Sequence, residues 1–306
     1  MKTVLITGVT GFLGRYTVMH YQSLGWRVVG LGTRAEENAP QDLARYVRME
    51  LPSTDLAAVV REVKPDVCVH GAGRASVELS MTDPAADFRS GVDAVFNVLD
   101  AIRLHAPKCR VVYLSSAAVY GNPQTLPIVE THAASPISSY GFHKLIGEQL
   151  CTEFSTVYDL RTSAVRIFSA YGPGLRRQVV WDVCRKAITQ PTLTLRGTGD
   201  ESRDFIHARD VAGALFVIAD RAECRAETYN LASGTETTMR SLARMILAKT
   251  GRDIDIETDG IVHPGVPRNW RADMSRLAGL GFKPEIALDH GIEAYAHWCH
   301  AEVLGE

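Results

Sequence analysis

The chain has 306 residues, 46% of them hydrophobic and 22% charged, a balance that is typical of a globular protein with a sizeable core. Its 33 basic and 35 acidic side chains give a formal charge of −2, which excludes a gross electrostatic attraction to nucleic acid or to an anionic membrane. The six cysteines are scattered, with no CxxC or Cys/His ligand spacing, so we expect reduced thiols, no metal site and a cytoplasmic location.

Strand patterns and helical patterns alternate along the first half of the chain. No apolar run is long enough to span a bilayer, and three residues precede the first strand pattern, so we predict neither a membrane span nor a signal peptide. In chain order, the patterns predict a strand over 4–6, a helix over 15–24, a strand over 27–31, a helix over 56–63, a strand over 67–69, a helix over 88–105, a strand over 111–114, a helix over 139–158 and a strand over 162–168.

This alternation predicts an α/β fold, namely a doubly wound parallel sheet of the Rossmann type. After residue 174 the alternation loosens, because glycine and proline interrupt the patterns more often. We therefore predict a dinucleotide-binding domain over residues 1–172, to which residues 204–235 return, and a smaller discontinuous C-terminal lobe for the substrate, built from 173–203 and 236–306.

The loop after the first predicted strand carries three glycines, Gly8, Gly11 and Gly14, with GxxGxxG spacing rather than GxGxxG. In a strand–loop–helix unit, such glycines let the backbone approach a pyrophosphate at the positive end of a helix. The same triplet occurs in ordinary strand–helix turns, but its place directly after the first strand favours a dinucleotide site.

The end of the second strand is where dinucleotide-binding folds place an acid on the adenosine ribose. Gly32 stands there, Arg34 follows, and Arg15 comes just after the glycine loop. A guanidinium without a carboxylate suits a 2′-phosphate, so we predict NADP, with NAD as the alternative and a plain surface role for both arginines also open. Glu50, after the next strand pattern, is a candidate for the adenine amine and equally a surface acid.

Tyr140 and Lys144 are four positions apart and therefore share one face of the predicted helix. A phenol titrates near ~10, and a neighbouring ammonium together with an oxidised nicotinamide lowers that pKa. Tyr140 is then able to exchange a proton with a sugar oxygen that the hydroxyl of Ser116 holds. An isolated Tyr/Lys pair is usually structural, and the glycine loop and Ser116 change that reading.

With these residues, the chain resembles the extended short-chain dehydrogenase/reductase superfamily, in particular its nucleotide-sugar epimerase, dehydratase and reductase branch. The resemblance covers nearly the whole chain. It rests on residues 7–14 (TGVTGFLG), 114–121 (LSSAAVYG), 140–144 (YGFHK), 171–173 (YGP), 202–207 (SRDFIH) and 209–211 (RDV).

The resemblance implies a nucleotide-diphosphate sugar as substrate and a homodimer formed through the helices predicted over 88–105 and 139–158. The predicted catalytic residues are Ser116, Tyr140 and Lys144. The predicted cofactor-binding residues are Gly8, Gly11, Phe12, Leu13, Gly14, Arg34, Glu50, Leu51, Gly71, Ala72, Tyr140 and Lys144. The predicted substrate-binding residues are Ser116, Ser169, Gln178, Arg203, Arg268 and Arg271.

Arg203 matches the family's arginine that binds the nucleotide diphosphate, for which a forked guanidinium is well suited. The plain alternative is a surface pair of this arginine with an aspartate. The family's second arginine precedes a Pro-Gly pair, where His263 stands here, so Arg268 or Arg271 is the candidate for that role. Arg176 and Arg177 are further candidates for the substrate, although a solvated loop is equally consistent with them.

Three positions depart from the family's pattern. His143 stands before the lysine, where the family often has serine. Ser169 replaces a frequent asparagine, and near Gly91 another expected asparagine is missing. Because these positions line or support the pocket, the sugar need not be the ordinary glucose or galactose.

Dehydratases of this family carry acidic residues directly after the catalytic hydroxyl, whereas Ala117 and Ala118 follow Ser116 here. Dehydration is therefore not predicted. A 4-keto sugar reductase that consumes NADPH and a 4-epimerase that keeps its NAD both remain, and Gly32 places the reductase slightly ahead. A non-catalytic NADP-binding regulator is disfavoured, because Tyr140 and Lys144 are both present.

Overall fold

The structure, a computed structural model, describes residues 1–261 and 267–305. Its centre is a seven-stranded parallel sheet with the order β10-β6-β5-β4-β1-β2-β3. The strands are β1 Thr3–Thr7, β2 Arg27–Gly32, β3 Arg45–Arg48, β4 Val67–His70, β5 Arg110–Ser116, β6 Arg161–Ile167 and β10 Arg225–Leu231. This topology, with successive strands laid on both sides of β1, confirms the predicted doubly wound α/β fold.

Helices cover both faces of this sheet, and alternate residues of each strand reach opposite faces. On β1, Val4 and Ile6 join the core beneath one layer of helices, whereas Leu5 joins the core on the other face. The helices of the first layer are α1 Phe12–Ser23 and α8 Ala208–Arg221, and those of the second layer are α2 Leu56–Val63, α5 Ala94–His105 and α6 Ser139–Tyr158.

The helix predicted over 88–105 is confirmed, but the helical segment begins earlier and contains a π-helical turn over Arg89–Asp93. The chain forms helices α3 Val77–Thr82 and α4 Pro84–Phe88, then a π-helical turn over Arg89–Asp93, and only then α5. The wide turn contains Gly91, a poor helix former, and π turns of this kind often accompany functional sites.

The rest of the chain builds two small sheets and a helical cluster. Strands β7 Ser169–Tyr171, β9 Ser202–His207 and β11 Glu236–Thr238 pair in the order β11-β9-β7, and β8 Leu193–Leu195 pairs with β12 Ile256–Thr258. Helices α7 Gln178–Thr189, α9 Met239–Thr250 and α11 Leu288–Leu304 share one apolar core, and the short α10 spans Ser275–Gly279. The division into two lobes at the residues given above stays a prediction.

The buried carboxylate of Asp204 joins three segments of this second part. It accepts hydrogen bonds from the backbone of Ser233, Gly234 and Ala272 at 2.8 to 3.0 Å. A buried carboxylate satisfied in this way fixes the loops around the adjacent Arg203. Among the described residues, no helix combines the length and apolar character needed to cross a membrane.

Candidate active site

The glycine loop between β1 and α1 is packed so closely that side chains would not fit. Gly8 has φ +78°, and a Cβ there would lie 2.9 Å from the backbone of Gly71 and Ala72. A Cβ on Gly14 would overlap the carbonyl oxygen of Gly8. The first turn of α1 contains no acidic residue, so its free N–H groups keep their positive potential. This cradle fits the diphosphate of a dinucleotide.

The loop after β2 lies beside three guanidinium groups. Arg15 donates to the carbonyl of Asn38 at 2.6 Å, Arg48 donates to the carbonyl of Thr33 at 3.2 Å, and Arg34 is exposed. Of the other predicted cofactor contacts at this end, Glu50 is exposed and Leu51 is buried.

A side chain in place of Gly32 would crowd two neighbouring side chains. A Cβ at this position would lie 2.9 Å from Oη of Tyr46 and 3.0 Å from Oγ1 of Thr10. The phenol of Tyr46 is fixed by a hydrogen bond of 2.6 Å to the carbonyl oxygen of Arg34. The usual acidic side chain is therefore absent from the end of β2, and one placed there would require Tyr46 or Thr10 to shift.

The three predicted catalytic side chains converge where β5 ends and α6 begins. Ser116 is the last residue of β5, and Tyr140 and Lys144 lie on the first turns of α6. Ser138 caps this helix by accepting from the N–H of Gly141, and the N–H of Tyr140 donates to Oγ of Ser80 at 3.0 Å. Both predicted catalytic side chains of α6 therefore start from a fixed helix terminus.

Lys144 is held between the strand and its own helix. Its Nζ donates to the carbonyl oxygen of Leu114 at 2.7 Å and lies 5.0 Å from the ring centroid of Tyr113 and 5.7 Å from that of Tyr140. Burial lowers the pKa of Lys144 to about 8, although the carboxylates of Asp87 and Glu148 oppose this effect. The ammonium is thus present at neutral pH and is lost more easily than that of an exposed lysine.

The phenol of Tyr140 is subject to opposing effects. Burial raises its pKa, whereas its hydrogen bond with Ser116 and the positive charge of Arg177 lower it. Arg177 precedes α7 and donates from Nη1 to the carbonyl oxygen of Ala75, in the loop that follows Gly71 and Ala72. The positive charge of Arg177, one of the two arginines named from the sequence as further candidates for the substrate, therefore acts on the predicted catalytic phenol.

His70 closes the bottom of the site as a neutral side chain. Its Nδ1 lies 2.7 Å from Oγ1 of Thr7, which also accepts from the N–H of Ala72 at 3.1 Å. Burial lowers the pKa of His70 to about 3, and its ring stacks on Tyr113. These contacts lock the ends of β1 and β4 together beneath the glycine loop.

Arg203 is held in place without a carboxylate partner in the described part of the chain. It donates to the carbonyl oxygens of Ser202 at 2.7 Å and Arg268 at 3.0 Å, and its guanidinium lies 5.2 Å from the ring centroid of Trp270. Burial lowers its pKa to about 10, so the group remains charged at neutral pH. A positioned cation of this kind suits an anionic ligand. The contact of Arg203 with Trp270 was not predicted from the sequence.

The other predicted substrate residues lie on neighbouring elements. Ser169 starts β7 and pairs with Phe205 of β9, the strand that carries Arg203. Gln178 begins α7, Arg268 is exposed and Arg271 is half-buried. The predicted position of His263 falls outside the described residues.

Comparison with known proteins agrees with this arrangement. The profile of the NAD dependent epimerase/dehydratase family matches residues 4–232. The UDP-glucose 4-epimerase of Mycolicibacterium smegmatis is 32% identical over 313 residues, which cover 95% of this chain and 96% of that protein.

Two solved structures are also similar. One, described as MoeE5 in complex with UDP-glucose and NAD, has 27% identity and a TM-score of 0.89, and covers 98% of this chain and 99% of that one. The other is the UDP-N-acetylglucosamine 4-epimerase of Methanobrevibacter ruminantium M1 in complex with UDP-N-acetylmuramic acid, with 25% identity, a TM-score of 0.90 and the same coverage. The chain therefore belongs to the NAD dependent epimerase/dehydratase family of enzymes, as its motifs predict.

Proposed function

We propose that the protein inverts C4 of a nucleotide-diphosphate hexose with a retained NAD. The observation that carries the proposal is the convergence of Ser116, Tyr140 and Lys144 next to the glycine loop. Two of the compared proteins are named as 4-epimerases, which moves the preference from the reductase to the epimerase.

The side chains supply the proton path of this reaction. Tyr140, as phenolate, takes the proton of the 4-hydroxyl group and later returns it, while Ser116 holds the same oxygen by a hydrogen bond. The Lys144 ammonium stabilises the phenolate and is placed to bind the cofactor's ribose. NAD, when bound, supplies the hydride acceptor at C4. Arg203 binds the substrate's diphosphate, which leaves the sugar free to rotate and present its other face to the cofactor.

A 4-keto sugar reductase that uses NADPH is the second candidate, and the end of β2 favours it. Gly32 stands in place of the acid that binds a ribose diol, and Arg15, Arg34 and Arg48 surround the place of a 2′-phosphate. Phosphate oxygens accept forked hydrogen bonds from guanidinium, so these residues would select NADP.

The two candidates differ in what the protein retains and consumes. The purified protein is denatured, the released dinucleotide is identified by mass spectrometry, and turnover is then measured with UDP-glucose and with a UDP-4-keto-hexose plus NADPH. Retained NAD and interconversion of UDP-glucose with UDP-galactose support the epimerase. Net oxidation of NADPH by the keto sugar supports the reductase, and the absence of any dinucleotide binding contradicts both.

A fluorescence titration tests the cofactor separately. Arg34→Gln should weaken NADPH binding roughly tenfold and leave NADH binding unchanged, if Arg34 contacts the 2′-phosphate. Equal loss for both dinucleotides would remove the NADP proposal.

We also propose that the chain dimerises through α5 and α6. Phe96 of α5 is exposed, although its ring contacts Phe154 of α6, and Arg103 stacks on the exposed Tyr158. Phe142 of α6 is exposed as well. These side chains give the two helices an apolar outer surface, which suits an interface. Light scattering should report the mass of two chains, and Phe96→Asp should reduce it to one.

A further inference from the structure

Two residues outside the predicted site form a buried pair beside it. His143 of α6 lies between Tyr140 and Lys144 in the sequence, and its Nδ1 is 2.6 Å from Oδ2 of Asp87 on α4. The Asp87 side chain is 3% exposed and that of His143 is 13% exposed. The pair therefore joins α4 to the first turns of the helix that carries both catalytic side chains.

The surroundings of His143 explain why a large side chain fits there. The edge of its ring meets the ring of Phe88, with centroids 5.2 Å apart. A Cβ on Gly91, in the π-helical turn, would lie 3.7 Å from Cβ of His143. Two of the three departures from the family's pattern, His143 and Gly91, thus lie next to each other, at the distance of an ordinary van der Waals contact.

Charge is the second feature of the pair. The rings of Tyr113 from β5 and Tyr140 from α6 lie 5.0 and 5.7 Å from Nζ of Lys144. The other titratable groups that interact electrostatically with Lys144 are Asp87 from α4, Glu148 from α6 and His70 from β4.

Of the two carboxylates in this set, Glu148 is neutralised by Arg166, which donates to both of its oxygens. Among the described residues, the side chain of Asp87 has the imidazole of His143 as its hydrogen-bonded partner and no arginine or lysine. The charge of Asp87 is thus the less compensated of the two, and it raises the pKa of Lys144 against the effect of burial.

We propose that Asp87 and His143 form a positioning pair, in which His143 fixes the Asp87 carboxylate so that it faces the Lys144 ammonium and holds α4 against the start of α6. Neither residue touches the reacting atoms, so the pair acts through Lys144. The proposal rests on the proposed function only in giving Lys144 a catalytic role. The contact itself belongs to the free protein.

The test is a titration of Lys144 by NMR in protein labelled with 13C at lysine Cε, with the Lys144 signal assigned from Lys144→Arg. Asp87→Asn should lower the midpoint of Lys144 by roughly one pH unit. Asp93→Asn, at an exposed carboxylate of the π-helical turn, is the matched control and should leave the midpoint unchanged. Equal midpoints in the two variants would overturn the proposal.

Two variants of His143 separate positioning from bulk. His143→Gln keeps a donor for Asp87 and should retain the Lys144 midpoint and the NADH affinity of the wild type. His143→Leu has no such donor, so its Lys144 midpoint and its NADH affinity should both differ from those of the wild type. If Asp87→Asn fails to fold, the comparison of the two His143 variants is sufficient. Equal Lys144 midpoints and equal NADH affinities in His143→Gln and His143→Leu would refute the proposal.

The NMR titration requires neither substrate nor turnover, which separates this inference from the proposed function. A lowered midpoint in Asp87→Asn together with no dinucleotide binding by the wild type would contradict the function and support the pair. Turnover by the wild type together with an unchanged Lys144 midpoint in Asp87→Asn would support the function and contradict the pair.

Discussion

Ser115 donates a hydrogen bond of 2.5 Å to Oε1 of the buried Glu148, and so ties the residue before Ser116 to α6 two turns after Tyr140. The carboxylate of Glu148 also accepts hydrogen bonds of 2.7 to 3.2 Å from Nε and Nη2 of Arg166. Together with the bond from Lys144 to Leu114, this makes two successive residues of β5, Leu114 and Ser115, contact α6. A buried network therefore lies beneath the hydroxyl of Ser116 and the phenol of Tyr140, the proposed catalytic groups.

Glu148→Gln should lower the free energy of unfolding by about 3 kcal/mol, because it leaves the buried Arg166 guanidinium without a counter-charge. Urea unfolding followed by circular dichroism measures this. Glu153→Gln, at an exposed position of the same helix, should change stability by less than about 0.5 kcal/mol. Similar losses in both variants would show that the buried pair has no special effect.

Tyr140→Phe should reduce turnover of UDP-glucose by about 100- to 10,000-fold, because only the proton path is lost. The affinity for NADH, measured by fluorescence, should stay within about twofold of the wild type. Tyr158→Phe, at the exposed end of the same helix, is the control and should keep full activity. Comparable rates in the two variants would remove Tyr140 from its proposed role.

The affinity for NADH should fall as the pH rises through about 8, where Lys144 loses its proton. The sign follows from burial, which lowers the pKa of a lysine, so that the ammonium needed at the ribose is present below this pH and absent above it. Lys144→Arg keeps its charge, and any binding it retains should be independent of pH up to about 10. A flat wild-type profile across pH 8 would contradict the role of Lys144.

The parts of the site that the sequence predicted are those set by local spacing. The four-residue interval between Tyr140 and Lys144 places both on one helix face wherever that helix lies, and the glycine triplet fixes a loop whatever surrounds it. Strand–helix alternation likewise predicts the parallel sheet, because few topologies satisfy it.

The contacts that the sequence did not predict join residues far apart in the chain. Asp87 meets His143 across 56 residues of the chain, and no periodicity in the sequence signals this contact or the π-helical turn at Gly91. Trp270 lies under Arg203 because the segment after residue 267 crosses to β9. The only signal of this contact in the sequence is that Trp270 stands next to Arg271, a candidate for the family's second arginine.

Arg177→Gln should move the acidic limb of the pH–rate profile to higher pH. The positive charge of Arg177 lowers the pKa of Tyr140, so its removal raises that pKa, and the phenolate then forms only in more alkaline solution. Arg176→Gln is a matched control, because this neighbouring arginine is exposed and pairs instead with Glu302. A limb that moves equally in both variants would show a general effect of surface charge.

Arg203→Gln should weaken binding of UDP-glucose roughly 10- to 100-fold, since a charged hydrogen bond to phosphate contributes about 1.5–3 kcal/mol. Affinity for NADH should remain, because Arg203 lies on β9 and not beside the glycine loop. Arg196→Gln, at an exposed position before β9, tests for a general loss of positive charge and should bind UDP-glucose like the wild type. Trp270→Leu removes the ring beneath the guanidinium and should give a smaller loss than Arg203→Gln, because the charge stays while its orientation is relaxed. Calorimetric titration of all three variants distinguishes these outcomes, and wild-type affinity in Arg203→Gln would rule out the diphosphate contact.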